Sequence, residues 1–215
     1  MKFQNTLKYR RVKLFFSFII LLFVLSGCAR YEVKNIRSQG THIICFGNSI
    51  TAGSGVSKND SYPSILSELI GYPVINAGQS GETSSDGLGR LDKDILVYEP
   101  RLVIIEFGGN DFLRKLPLSH TLDNIRLMTE QIQARGAMVA IADVSSGLIM
   151  RNYRKGYERM ARKTQAIFIP NLLKEIITNP SLKSDYIHPN AEGHRLIAER
   201  IHQAISPYIK KKNSN

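Results

Sequence analysis

Along the chain, short runs of apolar residues alternate with longer stretches in which apolar positions recur every three or four residues. Continuous runs at 43–46, 74–76, 102–107, 138–142 and 166–169 predict strands, and the spacing between them predicts helices over 61–70, 86–97, 121–134 and 153–162. A last helix is predicted over 191–209, where Leu196, Ile197, Ile201, Ala204, Ile205 and Tyr208 fall at helical spacing. Strands without polar alternation, separated by helices, predict an α/β three-layer sandwich around a central, mostly parallel five-stranded sheet. No internal repeat or low-complexity segment interrupts the pattern.

Before residue 41 the pattern differs. Lys2, Lys8, Arg10, Arg11 and Lys13 supply five positive charges with no acid among them, and the run from Leu14 to Leu25 is apolar except for Ser17. A bilayer span needs about 20 apolar residues. This run has twelve, the length of a signal-peptide core. It ends in Leu25-Ser26-Gly27-Cys28, which resembles a bacterial lipobox, where the cysteine becomes the lipidated first residue. The alternatives are an ordinary cleavage site or an uncleaved anchor. Each of the three carries the rest of the chain across the inner membrane. The expected organisation is a lipoprotein signal peptide over 1–27, a lipidated Cys28 with a polar tether over 28–40, one domain over 41–209 and a basic tail over 210–215. The expected location is the bacterial cell envelope, lipid-anchored on the periplasmic or extracytoplasmic side of a membrane. Ala29 follows Cys28 where a retention signal for the inner membrane prefers Asp.

With 215 residues, 43% hydrophobic and 22% charged, the chain fits one globular domain with a full core. Its formal charge of +11 overstates the domain's own balance. Residues 1–27 hold five of the 29 basic residues and none of the 18 acidic ones, which leaves +6. There is no Trp and no interleaving of basic with aromatic residues, so nucleic acid is not an expected partner. Cys45 lies in an apolar run without a partner cysteine and reads as a small buried hydrophobe, with neither disulfide nor metal cluster expected.

In open α/β sheets, ligands bind beyond the carboxyl ends of the strands. Those ends are Gly47-Asn48-Ser49, Asn76-Ala77-Gly78-Gln79-Ser80-Gly81, Gly108-Gly109-Asn110-Asp111 and Asp143-Val144-Ser145-Ser146-Gly147. Phosphate loops fail on spacing. Ala52 stands where a Walker loop needs glycine, and Lys58 stands where a dinucleotide loop after Gly53-Ser54-Gly55 needs its third. Nucleophilic catalysis by Ser49 needs a base within reach and a group to orient that base. Asp185-Tyr186-Ile187-His188-Pro189 offers both, since a turn of this length sets a carboxylate against the imidazole. The competing reading of the same segment is a loop in which Asn190 caps the last helix.

In this order, Gly47-Asn48-Ser49-Ile50 with Gly53, Asn76 to Gly81, Gly108 to Asp111 and Asp185 to Asn190 resemble the blocks of the SGNH (GDSL-type) hydrolases, colinear over 41–207. The thioesterase I, lysophospholipase and arylesterase branch is the nearest. The resemblance implies the flavodoxin-like sandwich already expected, and cleavage of carboxylic ester or thioester bonds through an acyl-serine intermediate. It implies Ser49 as nucleophile, His188 as base and Asp185 as its orienting acid. Backbone N–H groups of Ser49 and Gly78 and the Asn110 amide are the implied oxyanion donors. No cofactor or metal is implied. The partners expected are a small ester or thioester substrate, lipid among the candidates, and the membrane through the N-terminal anchor. The alternatives are an O-acetyl carbohydrate esterase of the envelope and a noncatalytic lipid- or glycan-binding lipoprotein. Two positions depart from the family: Asn48 where Asp is usual, and Tyr186 where Gly is common. His194 and Asp111 are the second-choice base and acid. Phe112, Leu113, Leu116, Leu148, Ile149 and Met150 are candidates to receive an acyl chain.

Overall fold

A computed structural model describes residues 31–146 and 150–209. Five parallel strands form one sheet: β1 (His42–Gly47), β2 (Val74–Gly78), β3 (Pro100–Glu106), β4 (Met138–Ala142) and β5 (Ile167–Ile169), in the order β2-β1-β3-β4-β5. β1, β3 and β4 lie in the middle, and nearly every side chain on them is buried. That is why these segments read as continuous apolar runs: both faces are covered, so neither selects polar residues. Each wholly buried side chain such as Ile44, Leu102 or Ile104 contributes roughly 1.5–3 kcal/mol.

The long helices are α2 (Tyr62–Ile70), α3 (Ser84–Asp94), α5 (Leu118–Ala134), α6 (Arg151–Thr164) and α7 (Ala191–Ile205). α2 packs on α7, and α5 packs on α3 and α6, which gives a helical layer on each face of the sheet. The helix ends follow local chemistry. Thr83 and Asp86 close a capping box at the start of α3, with Asp86 accepting the Thr83 N–H at 2.9 Å. Asn190 caps α7 by accepting the Gly193 N–H at 3.1 Å.

Two short helices escape the periodic pattern, α1 (Ser49–Ala52) and α4 (Gly109–Leu113), because each is too brief to repeat an apolar face. The predicted helix over 86–97 ends at Asp94 and is followed by a 3₁₀ turn, Leu96–Tyr98. The last helix stops at Ile205, short of the expected 209. The tether expected over 28–40 also needs correction. Val33 is only 3% exposed, Lys34 donates to the Gln165 carbonyl at 2.9 Å, and Asn35 donates to the carbonyls of Gln133 and Ala137. The compact unit begins at Val33. No helix among the described residues is long and apolar enough to cross a membrane. Cys28, the apolar run before it and the basic tail lie outside the described residues.

At the edge of the sheet β1 and β2 end side by side, with Gly47 opposite Gly78. α1 passes over this corner so closely that a Cβ on Gly78 would fall 2.1 Å from the Ala52 nitrogen. Backbone cannot yield as a side chain does. Gly78→Ala is therefore expected to cost about 1–3 kcal/mol, read as a lower urea midpoint at unchanged m value. An unchanged midpoint would show that α1 moves freely over the corner.

Candidate active site

Gly47 ends β1, and the chain turns at once into α1. Asn48 caps that turn, its Oδ1 accepting the Ile50 N–H at 3.0 Å. Ser49 is the first residue of α1 and is nearly buried, at 9% exposure. No acceptor for the Ser49 N–H is found among the described residues.

An imidazole arrives from the far end of the chain. Lys183 and Pro189 bridge antiparallel, and Ser184 donates to the His188 carbonyl at 3.0 Å, closing a tight loop. Asp185 organises its interior: Oδ1 accepts the N–H groups of Ile187 and His188, both at 2.8 Å, while Oδ2 meets His188 Nδ1 at 2.7 Å. The His188 hydrogen bond, reinforced by those two backbone donors, holds the Asp185 carboxyl well below the usual range, so it is ionised at neutral pH. With a carboxylate on Nδ1, that nitrogen carries the proton. Nε2 is then free to accept the Ser49 hydroxyl, which lies 3.0 Å away. The loop can come this close because Gly55 has no side chain; a Cβ there would lie 2.1 Å from Ser184 Oγ. Tyr186, 94% exposed, projects from the loop into solvent.

Asn110 is carried by α4, beyond β3. The backbone reaches it through Gly108 at φ 114, where a side chain would be strained and would also meet the Tyr157 hydroxyl. One amide hydrogen of Asn110 donates to the Glu82 carbonyl at 2.8 Å; the other has no acceptor among the described residues. Gly78 does not have a free donor, because its N–H goes to Asn76 Oδ1 at 2.9 Å. On the same loop, the Gly81 N–H has no acceptor among the described residues, and Gly81 precedes the Glu82 carbonyl that Asn110 touches. Arg90 sets the loop's position. Its guanidinium grips both oxygens of Glu82 and donates to the Ala77 carbonyl at 2.9 Å and the Gly47 carbonyl at 3.3 Å. It also lies 4.6 Å above the Phe46 ring.

The second-choice residues go elsewhere. Asp111 is buried and accepts the Ser84 N–H at 2.9 Å, the Ser84 hydroxyl and the Thr121 hydroxyl, which ties the first turns of α3, α4 and α5 together. His194 stacks on Tyr62 and accepts its N–H at 3.2 Å. Burial, and then the charge of His188, lowers His194 to about 4. His42 bonds the Tyr98 carbonyl at the amino end of β1, the opposite edge of the sheet.

Ser49, Asn110 and His188 open onto a cavity of about 250 Å³ lined by Ile50, Phe112, Leu113, Val144, Met150 and Leu173, among others. Of the acyl-chain candidates, Phe112, Leu113 and Met150 line it; Leu116 does not, and Leu148 and Ile149 lie outside the described residues. Val144, Leu173, Ile177 and Ile187 were not foreseen. They reach the cavity from three separate segments and carry no local signal of it. A wider cleft of about 640 Å³ between α6 and residues 171–178 holds Arg151, Arg154, Lys155 and Lys174 with two glutamates, but no imidazole. Among the described residues, no three His, Cys, Asp or Glu side chains converge as metal ligands.

A hydroxyl, imidazole and carboxylate in mutual contact beyond the carboxyl ends of a parallel sheet are the arrangement by which serine hydrolases are recognised. Comparison with known proteins narrows the class. The chain belongs to the GDSL-like Lipase/Acylhydrolase family, whose model matches residues 45–196. An arylesterase of Vibrio mimicus is 29% identical over 205 residues, 89% of this chain and 97% of its own. Thioesterase 1/protease 1/lysophospholipase L1 of Escherichia coli strain K12 is 26% identical over 178 residues, covering 78% of this chain and 84% of its own. The crystal structure of TesA superimposes with a TM-score of 0.73 at 26% identity, over 78% of this chain and 99% of that one. The protein is an SGNH-type hydrolase of carboxylic ester or thioester bonds.

His194 sets one measurable limit on stability. Its pKa is about 4 in the fold against 6.5 when exposed, so between these values the unfolded chain binds the extra proton and stability falls as pH falls. Glu106, raised to about 7 by burial, acts in the opposite sense as pH rises. Comparison of His194→Asn with the wild type isolates the first effect: the decline from about pH 6.5 to about pH 4 should be shallower in urea titrations of the variant. Parallel curves would exclude His194 as its source.

Proposed function

We propose that Ser49 Oγ attacks the acyl carbon of an ester or thioester while its proton passes to His188 Nε2. The tetrahedral oxyanion is received by the N–H groups of Ser49 and Gly81 and the free amide hydrogen of Asn110. Gly81 replaces the expected Gly78, whose N–H is already spent on Asn76. Collapse breaks the bond to the leaving group, which takes the proton from His188 and departs as an alcohol or thiol. Water, deprotonated by His188, then attacks acyl-Ser49 and releases the acid. Asp185 holds the Nδ1 proton and stabilises the imidazolium formed in each half-reaction. The observation that carries this reading is the unbroken line from Asp185 to His188 to Ser49, at 2.7 and 3.0 Å.

The apolar cavity beside Ser49 supports an acyl chain longer than acetyl as the group bound there. We also propose that Cys28 is lipidated and tethers the domain to a membrane of the bacterial envelope, on its extracytoplasmic side. The charged start, the twelve-residue apolar run and Leu25-Ser26-Gly27-Cys28 support it. Replacement of Cys28 by Ala is expected to move the protein from the membrane fraction to the soluble one.

A fluorophosphonate probe tests the nucleophile. Wild type should be labelled and Ser49→Ala should not; an unlabelled wild type would favour the noncatalytic binding protein, and a labelled variant would remove Ser49 from the role. Asp185→Asn is expected to lower kcat by about 10³–10⁴-fold, and Asn110→Ala by about 10²–10³-fold. Along a series of p-nitrophenyl esters, kcat/KM should rise from acetate to longer acyl groups. A maximum at acetate would favour the O-acetyl carbohydrate reading.

A further inference from the structure

Beneath the turn that presents Ser49 lies a carboxylate that the reaction steps do not use. Glu106 ends β3 and is wholly buried. Its oxygens are taken up by the residue before Ser49 and the residue two positions after it. Asn48 Nδ2 donates to Oε1 at 3.2 Å, and Thr51 Oγ1 donates to Oε2 at 2.9 Å. Thr51 in turn lies 2.8 Å from the Tyr62 hydroxyl.

Position 48 therefore has two duties. One atom of its side chain accepts the Ile50 N–H, and the other faces a carboxylate. An amide meets both demands; an aspartate meets the second only when it or Glu106 carries a proton. The titratable groups facing Glu106 are Cys45 on β1, Tyr62 on α2 and Tyr157 on α6. Burial drives all three upward, so none supplies a compensating charge. Burial also raises Glu106 itself to about 7, against the pull of its Thr51 and Asn48 hydrogen bonds. Protonation at Oε2 reverses only the Thr51 bond, and Oε1 remains an acceptor for Asn48.

We propose that Asn48 and Glu106 are a matched amide–carboxylate pair that positions Ser49, keeping the nucleophile turn in one arrangement in both protonation states of Glu106. The usual Asp at position 48 would make this a carboxyl pair that needs a shared proton. Loss of that proton as pH rises sets two like charges against each other in a dry site, directly under the nucleophile. The inference rests on the reading of Ser49 as nucleophile given above.

The test compares full-length wild type, Asn48→Asp and Asn48→Asp/Glu106→Gln from about pH 5 to about pH 10. Melting temperature and kcat/KM on p-nitrophenyl butyrate are both recorded. The ratio of Asn48→Asp to wild-type kcat/KM should fall by about tenfold or more across this range, with a parallel loss of melting temperature. In the double variant, where amide and carboxylate have exchanged places, both ratios should be flat. A pH-independent Asn48→Asp ratio, or an alkaline loss that persists in the double variant, overturns the pair. Should Asn48→Asp fail to fold by circular dichroism, a folded double variant supports the pair and an unfolded one overturns it. If wild type turns over no ester, the nucleophile reading falls separately and the melting temperatures still decide the pair.

Discussion

The guanidinium of Arg90 is the interaction on which the site's geometry depends. Two parallel strands end beside each other at Gly47 and Gly78, where the Gly47 carbonyl accepts the Gln79 N–H at 3.0 Å and keeps a second lone pair for another donor. Arg90 supplies donors to Gly47 and Ala77, while its charge is balanced by Glu82 and Asp94 at the rim. The same residue thus fixes the residue before the nucleophile turn and the loop that meets Asn110. Arginine suits this place because a planar fork of five donors serves carbonyls and a carboxylate at once, whereas lysine brings a single point of charge. Partly buried, at 12% side-chain exposure, the pair with Glu82 is shielded from the solvent that weakens surface ion pairs.

Around that clamp, the polar groups divide by depth. Asp185 is half exposed and stays ionised, and its task is to hold one imidazole tautomer. Glu106 is fully buried and serves as an acceptor for two side chains at the base of the turn. Asp111, also buried, binds three donors from α3 and α5 and carries the start of α4. These carboxylates look equivalent in a sequence and perform three different duties, because burial and donor count decide what a carboxylate can do.

The sheet was legible from the pattern alone, since central strands such as 102–107 need apolar residues on both faces and show it without interruption. The contact of Asp185 with His188 was legible because the D-x-x-H turn writes it within four residues, and Ser49 joined it only through the resemblance of the sequence blocks. What could not be read was long-range. Glu106 sat inside an apolar run and passed as strand. Arg90 lay within the helix predicted over 86–97, and nothing near it in sequence pointed to the Gly47 carbonyl. Gly78 and Gly81 differ only in where their N–H groups point, which depends on whether Asn76 folds back on the loop. The cavity wall combines residues near 112, 144, 173 and 187, and no local periodicity relates these segments.

The bond between Ser49 and His188 joins residues 139 positions apart. Ser49 rests on the corner formed by β1 and β2, but His188 belongs to a loop that follows the last strand and leads into the cap of α7. The Ser49–His188 contact thus needs nearly the whole polypeptide, from the first strand to the loop before the last helix. A chain that stopped before residue 185 would keep the serine and lack both the imidazole and the carboxylate that it meets.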